Sequence, residues 1–291
     1  MVKLFGEKRE VLLDFFTSII FEGPMASAIK AETIQTIGSV VLTITPEGKV
    51  TCSMLDQVTR ENIYLNITMD ASIPGEIEKD TDIAFIDASL VKGIISNYSS
   101  GDTVFLSLND DEDMVVFSNL EETMVITEPN IDAASIPGND KGMMAAIKWE
   151  DVTPEIGGKK LNVKFGIHFP SLRVIEKMNK TLDTPHISVK FSGKELYFIS
   201  GDYNDKRTNL FKASLQGSTA VLDAGGKFVD GPVNASNKYP IGIIPLIKSL
   251  DDADGYARVT DDGRLEQLLF VGERNGIKKV YMIGASAKTP V

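Results

Sequence analysis

Two stretches decide the fold: residues 99–127, SSGDTVFLSLNDDEDMVVFSNLEETMVIT, and residues 252–284, DADGYARVTDDGRLEQLLFVGERNGIKKVYMIG. Each stretch has a glycine, Gly101 or Gly255, before a first strand-like run and an Asp-Asp turn before a second one. A third strand-like run closes each stretch. Few residues are identical, but the order of runs and turns is shared, and this order indicates an internal repeat.

The segments around these stretches extend the repeat. Apolar residues at helical spacing predict four helices, over 8–20, 87–98, 170–182 and 241–250. Alternating or β-branched runs predict strands between them, over 38–45, 49–55, 62–69, 103–108, 114–117 and 123–127, and then over 161–165, 187–191, 196–199, 209–215, 256–260, 265–271 and 279–283. Each half therefore consists of a helix, several strands, a second helix and three more strands.

This order predicts an α+β fold with two similar domains of antiparallel sheet and two helices in each. Two helices are too few to cover both faces of so many strands, so we expect them on one face only. Residues 129–158 contain several Pro and Gly residues and little periodicity, which is typical of a connector. The predicted division is an N-terminal domain at 1–128, a connector at 129–158 and a C-terminal domain at 159–291.

Composition narrows the function classes. The chain has 291 residues, 43% of them apolar, a formal charge of -11 and no apolar run long enough to span a bilayer, so we expect a soluble protein with no membrane partner. An acidic total argues against a wholly basic nucleic-acid coat but is compatible with a basic patch. A single cysteine, Cys52, excludes a disulfide framework, and a charged N-terminus predicts no signal peptide, which together favour the cytoplasm.

The sequence contains few residue patterns that are typical of catalytic sites. His168 and His186 are far apart in sequence, which argues against a His/Cys metal site. The Gly-rich stretches lack the frame of a phosphate-binding loop, and there is no G-x-S-x-G elbow. Acidic runs at predicted turns are typically solvated turns, and a metal-dependent hydrolase that uses Asp110, Asp113 and Asp261 is the minor alternative. We therefore predict a protein without enzymatic activity, cofactor or metal.

Three stretches carry a resemblance to a known family: GKVTCSMLD at 48–56, IAFIDASLVKGIISN at 83–97 and KYPIGIIPLIK at 238–248. In order and spacing they resemble the sliding-clamp family, the two-domain processivity factors typified by proliferating cell nuclear antigen, which includes phage and viral clamps. The likeness covers nearly the whole chain. The chain is longer than the usual member, mainly in the connector and at 223–237, and no single motif is diagnostic.

The resemblance implies a ring whose helices line a hole for duplex DNA and which tethers a replicative DNA polymerase. Cations on such helices attract phosphates without reading bases. The candidate DNA-contacting residues are Arg173, Lys177, Lys180, Lys92, Lys248, Lys8 and Arg9. The first helix departs from the family pattern, because Glu10, Asp14 and Thr17 occupy the polar face on which the family usually has lysines.

The resemblance also implies two kinds of protein contact. Short peptides of the polymerase and the clamp loader would bind a pocket near the connector, and the residues at matching positions are Met54, Leu55, Ile136, Met144, Tyr281 and Ile283, side chains that are commonly core. Edge strands at 123–127 and 209–215 would join subunits through Thr123, Val125, Thr127, Asn209, Phe211 and Ala213. Two domains per subunit imply a homotrimer. An open, non-ring processivity subunit that holds DNA by charge, as a monomer or C-shaped dimer, is the alternative.

Overall fold

The computed structural model of the chain describes residues 2–20, 39–55, 63–72, 77–109, 111–136, 139, 147–149, 153–166, 174–175, 177, 186–200, 211–215, 219–240, 247, 250 and 252–285. Two helices lie complete within these ranges, α1 at Arg9–Ile19 and α2 at Ala88–Ser96. A short 3-10 turn occupies Ala133–Ser135.

Strands form most of the described chain. In the first half they are β1 (Val2–Lys8), β2 (Val40–Ile44), β3 (Lys49–Leu55), β4 (Ile63–Asp70), β5 (Thr81–Phe85), β6 (Thr103–Leu108), β7 (Met114–Asn119) and β8 (Val125–Pro129). The connecting region contains β9 (Ile147–Lys148), β10 (Glu155–Ile156) and β11 (Lys159–Lys160). In the second half they are β12 (Val163–Gly166), β13 (His186–Gly193), β14 (Glu195–Ser200), β15 (Phe211–Leu215), β16 (Thr219–Leu222), β17 (Phe228–Asp230), β18 (Val233–Pro240), β19 (Asp252–Val259), β20 (Leu265–Arg274) and β21 (Ile277–Gly284).

The sheets repeat one strand order. A four-stranded sheet, β1-β6-β7-β8, corresponds in chain order to β12-β19-β20-β21, and the set β5-β2-β3-β4 corresponds to β18-β13-β14-β15. Strand β21 pairs with β4, so two of these four sets, together with the hairpin β16-β17, form one continuous ten-stranded sheet. The hairpin β16-β17 extends this sheet beyond β12 and has no equivalent beside β1 among the described residues.

Both helices form because their apolar residues share one side. In α1, Leu12, Phe15, Phe16 and Ile19 are buried. The start of α2 is fixed by Asp87, whose side chain accepts hydrogen bonds from two backbone N–H groups of the first turn, at 2.8 and 3.2 Å. These buried side chains join alternate residues of the strands in one main core, so both helices lie on the same face of the sheets.

The opposite face of the ten-stranded sheet has its own cluster. Its buried members are Tyr64, Ile147, Leu161, Tyr256, Leu269, Val280 and Met282. The small sheet β9-β10-β11 contributes Ile147 to this cluster and partly buries Ile156 against it. The connecting region therefore covers part of the face that the helices leave open.

Most predicted elements are present, with different limits. Helix α1 begins one residue later than expected because Lys8 ends β1, a strand that the sequence did not predict. Strand β18 includes residues 238–240, which the family resemblance assigned to the start of the last helix. Of the third predicted helix, the structure describes only Val174, Ile175 and Lys177, all of them helical. Of the fourth, it describes Ile247, which is helical, and Leu250, which is not. The predicted domain limits stay a prediction.

Candidate functional site

The polar side of α1 carries Glu10, Asp14 and Thr17, and each of these side chains is bonded within the chain. Oε1 of Glu10 accepts hydrogen bonds from the Ser100 hydroxyl at 2.8 Å and from the Gly101 N–H at 3.2 Å. These bonds, the one from Ser100 foremost, lower the pKa of Glu10 below its ordinary value. The Thr17 hydroxyl donates to a carbonyl oxygen of its own helix at 2.6 Å. The residues that replace the family's lysines on this face therefore form hydrogen bonds within the chain.

Asp14 joins α1 to the hairpin β20-β21. Its carboxylate lies 2.9 Å from Nζ of Lys279 and 3.0 Å from Nδ2 of Asn275, and Nε of Arg274 is 3.8 Å away. The Lys279 side chain is fully buried and the Asp14 side chain is 15% exposed. Because two cations surround this carboxylate, its charge is balanced within the chain rather than presented to a ligand.

The two predicted cations at the start of α1 differ in role. Arg9 donates from Nη2 to the carbonyl oxygen of Ser96 at 3.0 Å, and its Nη1 is 3.6 Å from Oε1 of Glu10. A cation at this position satisfies a carbonyl oxygen at the end of α2, where the helix has no internal donor left. Lys8 is exposed at the end of β1. Of these two residues, Lys8 is the better placed to meet a ligand.

The remaining predicted DNA-contacting residues are only partly described. Lys92 is half-buried in α2, and Lys177 is helical and exposed. Arg173, Lys180 and Lys248 lie outside the described residues. A shared cationic face on the third helix therefore stays a prediction.

Strands β8 and β15 end their sheets. Within the described part of the chain, β8 pairs with β7 alone and β15 with β14 alone. Each strand therefore has one row of backbone N–H and C=O groups without a neighbouring strand there, an arrangement that favours pairing with another chain. They are the strands that the sequence analysis proposed as the subunit edges.

The proposed interface residues lie on or next to these edges. Val125 and Thr127 are exposed on β8, and Phe211 and Ala213 belong to β15. Thr123 was expected in the strand but lies in the turn before it, because its hydroxyl accepts a hydrogen bond from Nδ2 of the side chain at position 119, at 2.7 Å, and closes the turn. Asn209 lies outside the described residues.

Large apolar side chains are exposed at the same hairpin. Leu120 in the turn between β7 and β8 is 74% exposed, Met124 is 36% exposed and Val125 is 54% exposed. Contiguous exposed apolar residues commonly mark a contact surface. Here they adjoin the free edge of β8.

Most residues of the predicted peptide pocket are core residues. Met54, Ile136, Tyr281 and Ile283 all belong to the main core beneath the helices and are at most 6% exposed. The Tyr281 hydroxyl donates to a carbonyl oxygen of α1 at 3.3 Å. Because side chains alternate along a strand, the three strand residues Met54, Tyr281 and Ile283 face the helices. Ile136, which follows the 3-10 turn, is buried in the same core, so none of the four is accessible to a partner on the outer face. Met144 lies outside the described residues.

The outward face of the same strands has different residues. Val280 and Met282 alternate with Tyr281 on β21 and belong to the second cluster, which Leu55 of β3 flanks as a partly buried neighbour. Burial raises the pKa of the Tyr64 phenol in this cluster. This surface could not be predicted from the sequence, because residues 280–283 are all apolar and the division of their side chains between two faces is visible only in the structure.

A row of hydrogen-bonded polar side chains borders this cluster on β3 and β4. Nδ2 of Asn66 donates to the Ser53 hydroxyl at 2.8 Å, and the Thr68 hydroxyl donates to Oδ1 of Asn66 at 3.0 Å. The Thr51 and Thr68 hydroxyl oxygens are 3.3 Å apart. The outer face is therefore apolar near β21 and polar toward β3.

The described residues give little support to metal chemistry. No group of three or more His, Cys, Asp or Glu side chains in this part of the chain is arranged to hold a metal ion. Cys52 is buried, and burial raises the pKa of its thiol. Among the described helices, none is long and apolar enough to cross a membrane.

Solved structures share this arrangement. Proliferating cell nuclear antigen (PCNA) from Entamoeba histolytica is 10% identical, covers 98% of this chain and 100% of its own, and has a TM-score of 0.64. PCNA from Thermococcus kodakaraensis is 14% identical, with coverages of 97% and 99% and a TM-score of 0.63. A structure of A. fulgidus PCNA with the C-terminal region of FEN-1 bound is 12% identical, with full coverage of both chains and a TM-score of 0.61.

Identities this low establish the fold alone. The chain has the fold of PCNA-type sliding clamps over its whole length. No protein-family model matches its sequence, and no curated protein does.

Proposed function

We propose that the chain is one subunit of a closed ring that encircles duplex DNA and tethers the replicative DNA polymerase, with no catalytic activity of its own. The observation that carries this proposal is the joint between β4 and β21. The strands at the equivalent positions of the repeat, β15 and β8, are sheet edges. If β8 of one copy pairs with β15 of the next, every joint has the same geometry, and such head-to-tail contacts close when the rotation allows it.

The repeat defines the joints of the ring but not the number of subunits. Each chain supplies two repeats and therefore one internal joint and one joint to a neighbour. A homotrimer of this kind is what the family resemblance implies. Support for association between chains, as distinct from their number, comes from a solved complex of PCNA2 and PCNA3 from Sulfolobus tokodaii, which is 13% identical, with coverages of 99% and 99% and a TM-score of 0.61.

The helix side of the sheets is the proposed DNA side. Lys8, Lys92 and Lys177 would supply exposed or half-exposed cations there, together with Arg173, Lys180 and Lys248. Contacts of this kind hold phosphates without reading sequence and let the protein slide. The whole chain has a formal charge of -11, and acidic residues on its outer surface would repel DNA from the outside and favour the hole.

The outer face is the proposed side for protein partners. Short peptides of the polymerase and the clamp loader would contact the exposed parts of the second cluster, near Leu55 and Met282, and the connecting region beside it. Support comes from the neighbour of the same fold that has a FEN-1 segment bound. This function places the protein at replication forks in the cytoplasm.

The decisive experiment uses DNA topology. Protein loaded on nicked circular DNA should remain bound at high salt and should be lost when the circle is cut, because a ring slides off free ends. Light scattering of the protein alone should give three times the mass of one chain. Lys92→Glu with Lys177→Glu should reduce retention, and Lys49→Glu with Lys227→Glu, at exposed positions of the hairpins β2-β3 and β16-β17, is the matched control.

Two outcomes would contradict the ring. A strict monomer at micromolar concentration would exclude it. The second outcome is equal binding to linear and circular DNA, with an affinity that falls steeply as the salt concentration rises. It would indicate the open processivity subunit, because such a protein holds DNA by charge alone.

A further inference from the structure

We propose that the joint between subunits is closed by an apolar contact, Val174 of one copy against Leu120 of the next, at the place where the internal joint has the Asp14 ion cluster. The inference rests on the proposed ring and specifies the chemistry of its interface. The partner is a second copy of this chain.

The helical contribution follows from the repeat. Helix α1 comes directly after β1, and the helical residues Val174, Ile175 and Lys177 come after β12, which has the place of β1 in its own sheet. Asp14 directly precedes the fully buried Phe15, and Val174 directly precedes the fully buried Ile175. Successive residues of a helix are rotated by about 100°. Asp14 and Val174 therefore lie on the same lateral side of their helices.

The repeat also identifies the hairpin residue on the other side of the proposed contact. The hairpins β20-β21 and β7-β8 have equivalent places in their sheets. Asn275 is the first residue after β20, and Leu120 is the first residue after β7. In the internal joint, Arg274 and Asn275 contact Asp14. The residue that begins the other turn is Leu120.

The side chains at the two proposed positions are apolar and exposed. Val174 is 49% exposed and Leu120 is 74% exposed. Met124 and Val125 continue the apolar surface from Leu120 onto the free edge of β8, so the patch adjoins the strand that would pair with the next copy. This continuity and the repeat together identify the occupant as a second copy.

The difference in chemistry between the joints has a physical reason. The internal joint forms once, during folding, and its ion pair is held in place by the surrounding core. A joint between separate subunits gains from apolar burial, which requires no exact alignment of charges and is little affected by salt.

The test measures the dissociation constant of the assembly by sedimentation velocity over a dilution series. Val174→Asp and Leu120→Lys should each raise this constant by at least about tenfold, because each places one unpaired charge in an apolar contact. The double variant installs an acid and a base as in the internal joint, and it should recover to within about threefold of the wild type. Val229→Asp, at an exposed apolar position on β17, is the control.

The outcomes separate this inference from the ring itself. A wild-type chain that stays monomeric contradicts both. A wild type that assembles while the two single variants behave like Val229→Asp contradicts the apolar contact and leaves the ring intact. Because all three positions are exposed, the far-UV circular dichroism spectra of the variants should match the wild type. A wild-type dissociation constant that rises more than about tenfold between about 0.1 and about 1 M NaCl would also overturn the proposal.

Discussion

The carboxylate of Asp14 lies 2.9 Å from the ammonium nitrogen of Lys279, although the two residues are 265 positions apart in the chain. This ion pair connects the first helix to the last strand at the joint where β21 meets β4. Since the Lys279 side chain is fully buried, the pair is a condition of folding rather than a feature of the surface.

The first prediction concerns the two halves of this ion pair. Asp14→Leu should lower the free energy of unfolding by about 3 kcal/mol, because it leaves a buried ammonium group without its carboxylate. Lys279→Met should cost less, because Asp14 keeps its contacts with Arg274 and Asn275. The double variant should be closer to the wild type than Asp14→Leu is. Urea unfolding, followed by circular dichroism, measures all three.

The control for this series is Lys49→Met, at an exposed position of β3. It should change the free energy of unfolding by less than about 0.5 kcal/mol. If Asp14→Leu cost no more than this control, the ion pair would have no structural role.

The second prediction concerns pH and the hydrogen bond between Ser100 and Glu10. The folded-state pKa of Glu10 lies below its ordinary value, mainly through this bond. A lowered pKa contributes stability above the unfolded-state pKa, and this stability is lost as the pH falls through the folded-state pKa. Ser100→Ala should therefore destabilise the protein near neutral pH and have a smaller effect in acid.

NMR titration of the Glu10 side-chain carbons measures the pKa directly. Ser100→Ala should move it upward toward the ordinary value, whereas Ser99→Ala, one residue away, should leave it in place. An unchanged Glu10 titration in Ser100→Ala would contradict this assignment.

Local signals predicted many elements at the correct residues. Strands β3 and β6 span the residues expected from their β-branched and alternating pattern. Strand β1 was missed because VKLFGEK does not alternate, and the structure has a register shift between Lys3 and Phe5. Strand β18 was missed because VNASNKYP is mostly polar and depends on its neighbour β13.

The parts of the candidate site that could be predicted are those that follow from the order of elements along the sequence. An edge strand ending the first half was expected, and β8 is one. The faces of β21 were not predictable, because Val280 to Ile283 are all apolar and a strand buried on both sides shows no alternation of polarity. The pairing of Asp14 with Lys279 depends on tertiary structure that no local pattern contains.

The third prediction concerns the reactivity of Cys52. The thiolate is the reactive form, and burial both raises the thiol pKa and blocks access. The native protein should therefore not react with a thiol-specific reagent at mildly alkaline pH, and should react fully in concentrated urea. Rapid labelling of the folded chain, detected by mass spectrometry, would contradict the burial of Cys52 in the core.

The last prediction compares two glycines. A Cβ at Gly255 would lie 2.4 Å from the Phe165 ring, which is 2% exposed and packs against Phe191 and Phe270 with ring centroids 5.3 and 6.0 Å away. Because that ring has no room to move, Gly255→Ala should lower the free energy of unfolding by about 2 kcal/mol.

Gly93→Ala should have the opposite sign. A Cβ at Gly93 would meet nothing within 4 Å, and the residue lies inside α2. Alanine is the better helix former and restricts the unfolded chain, so a gain of about 0.5–1 kcal/mol is expected. Urea unfolding of both variants beside the wild type gives the comparison. Two changes of the same sign would mean that the space around one of these glycines differs from the packing described here.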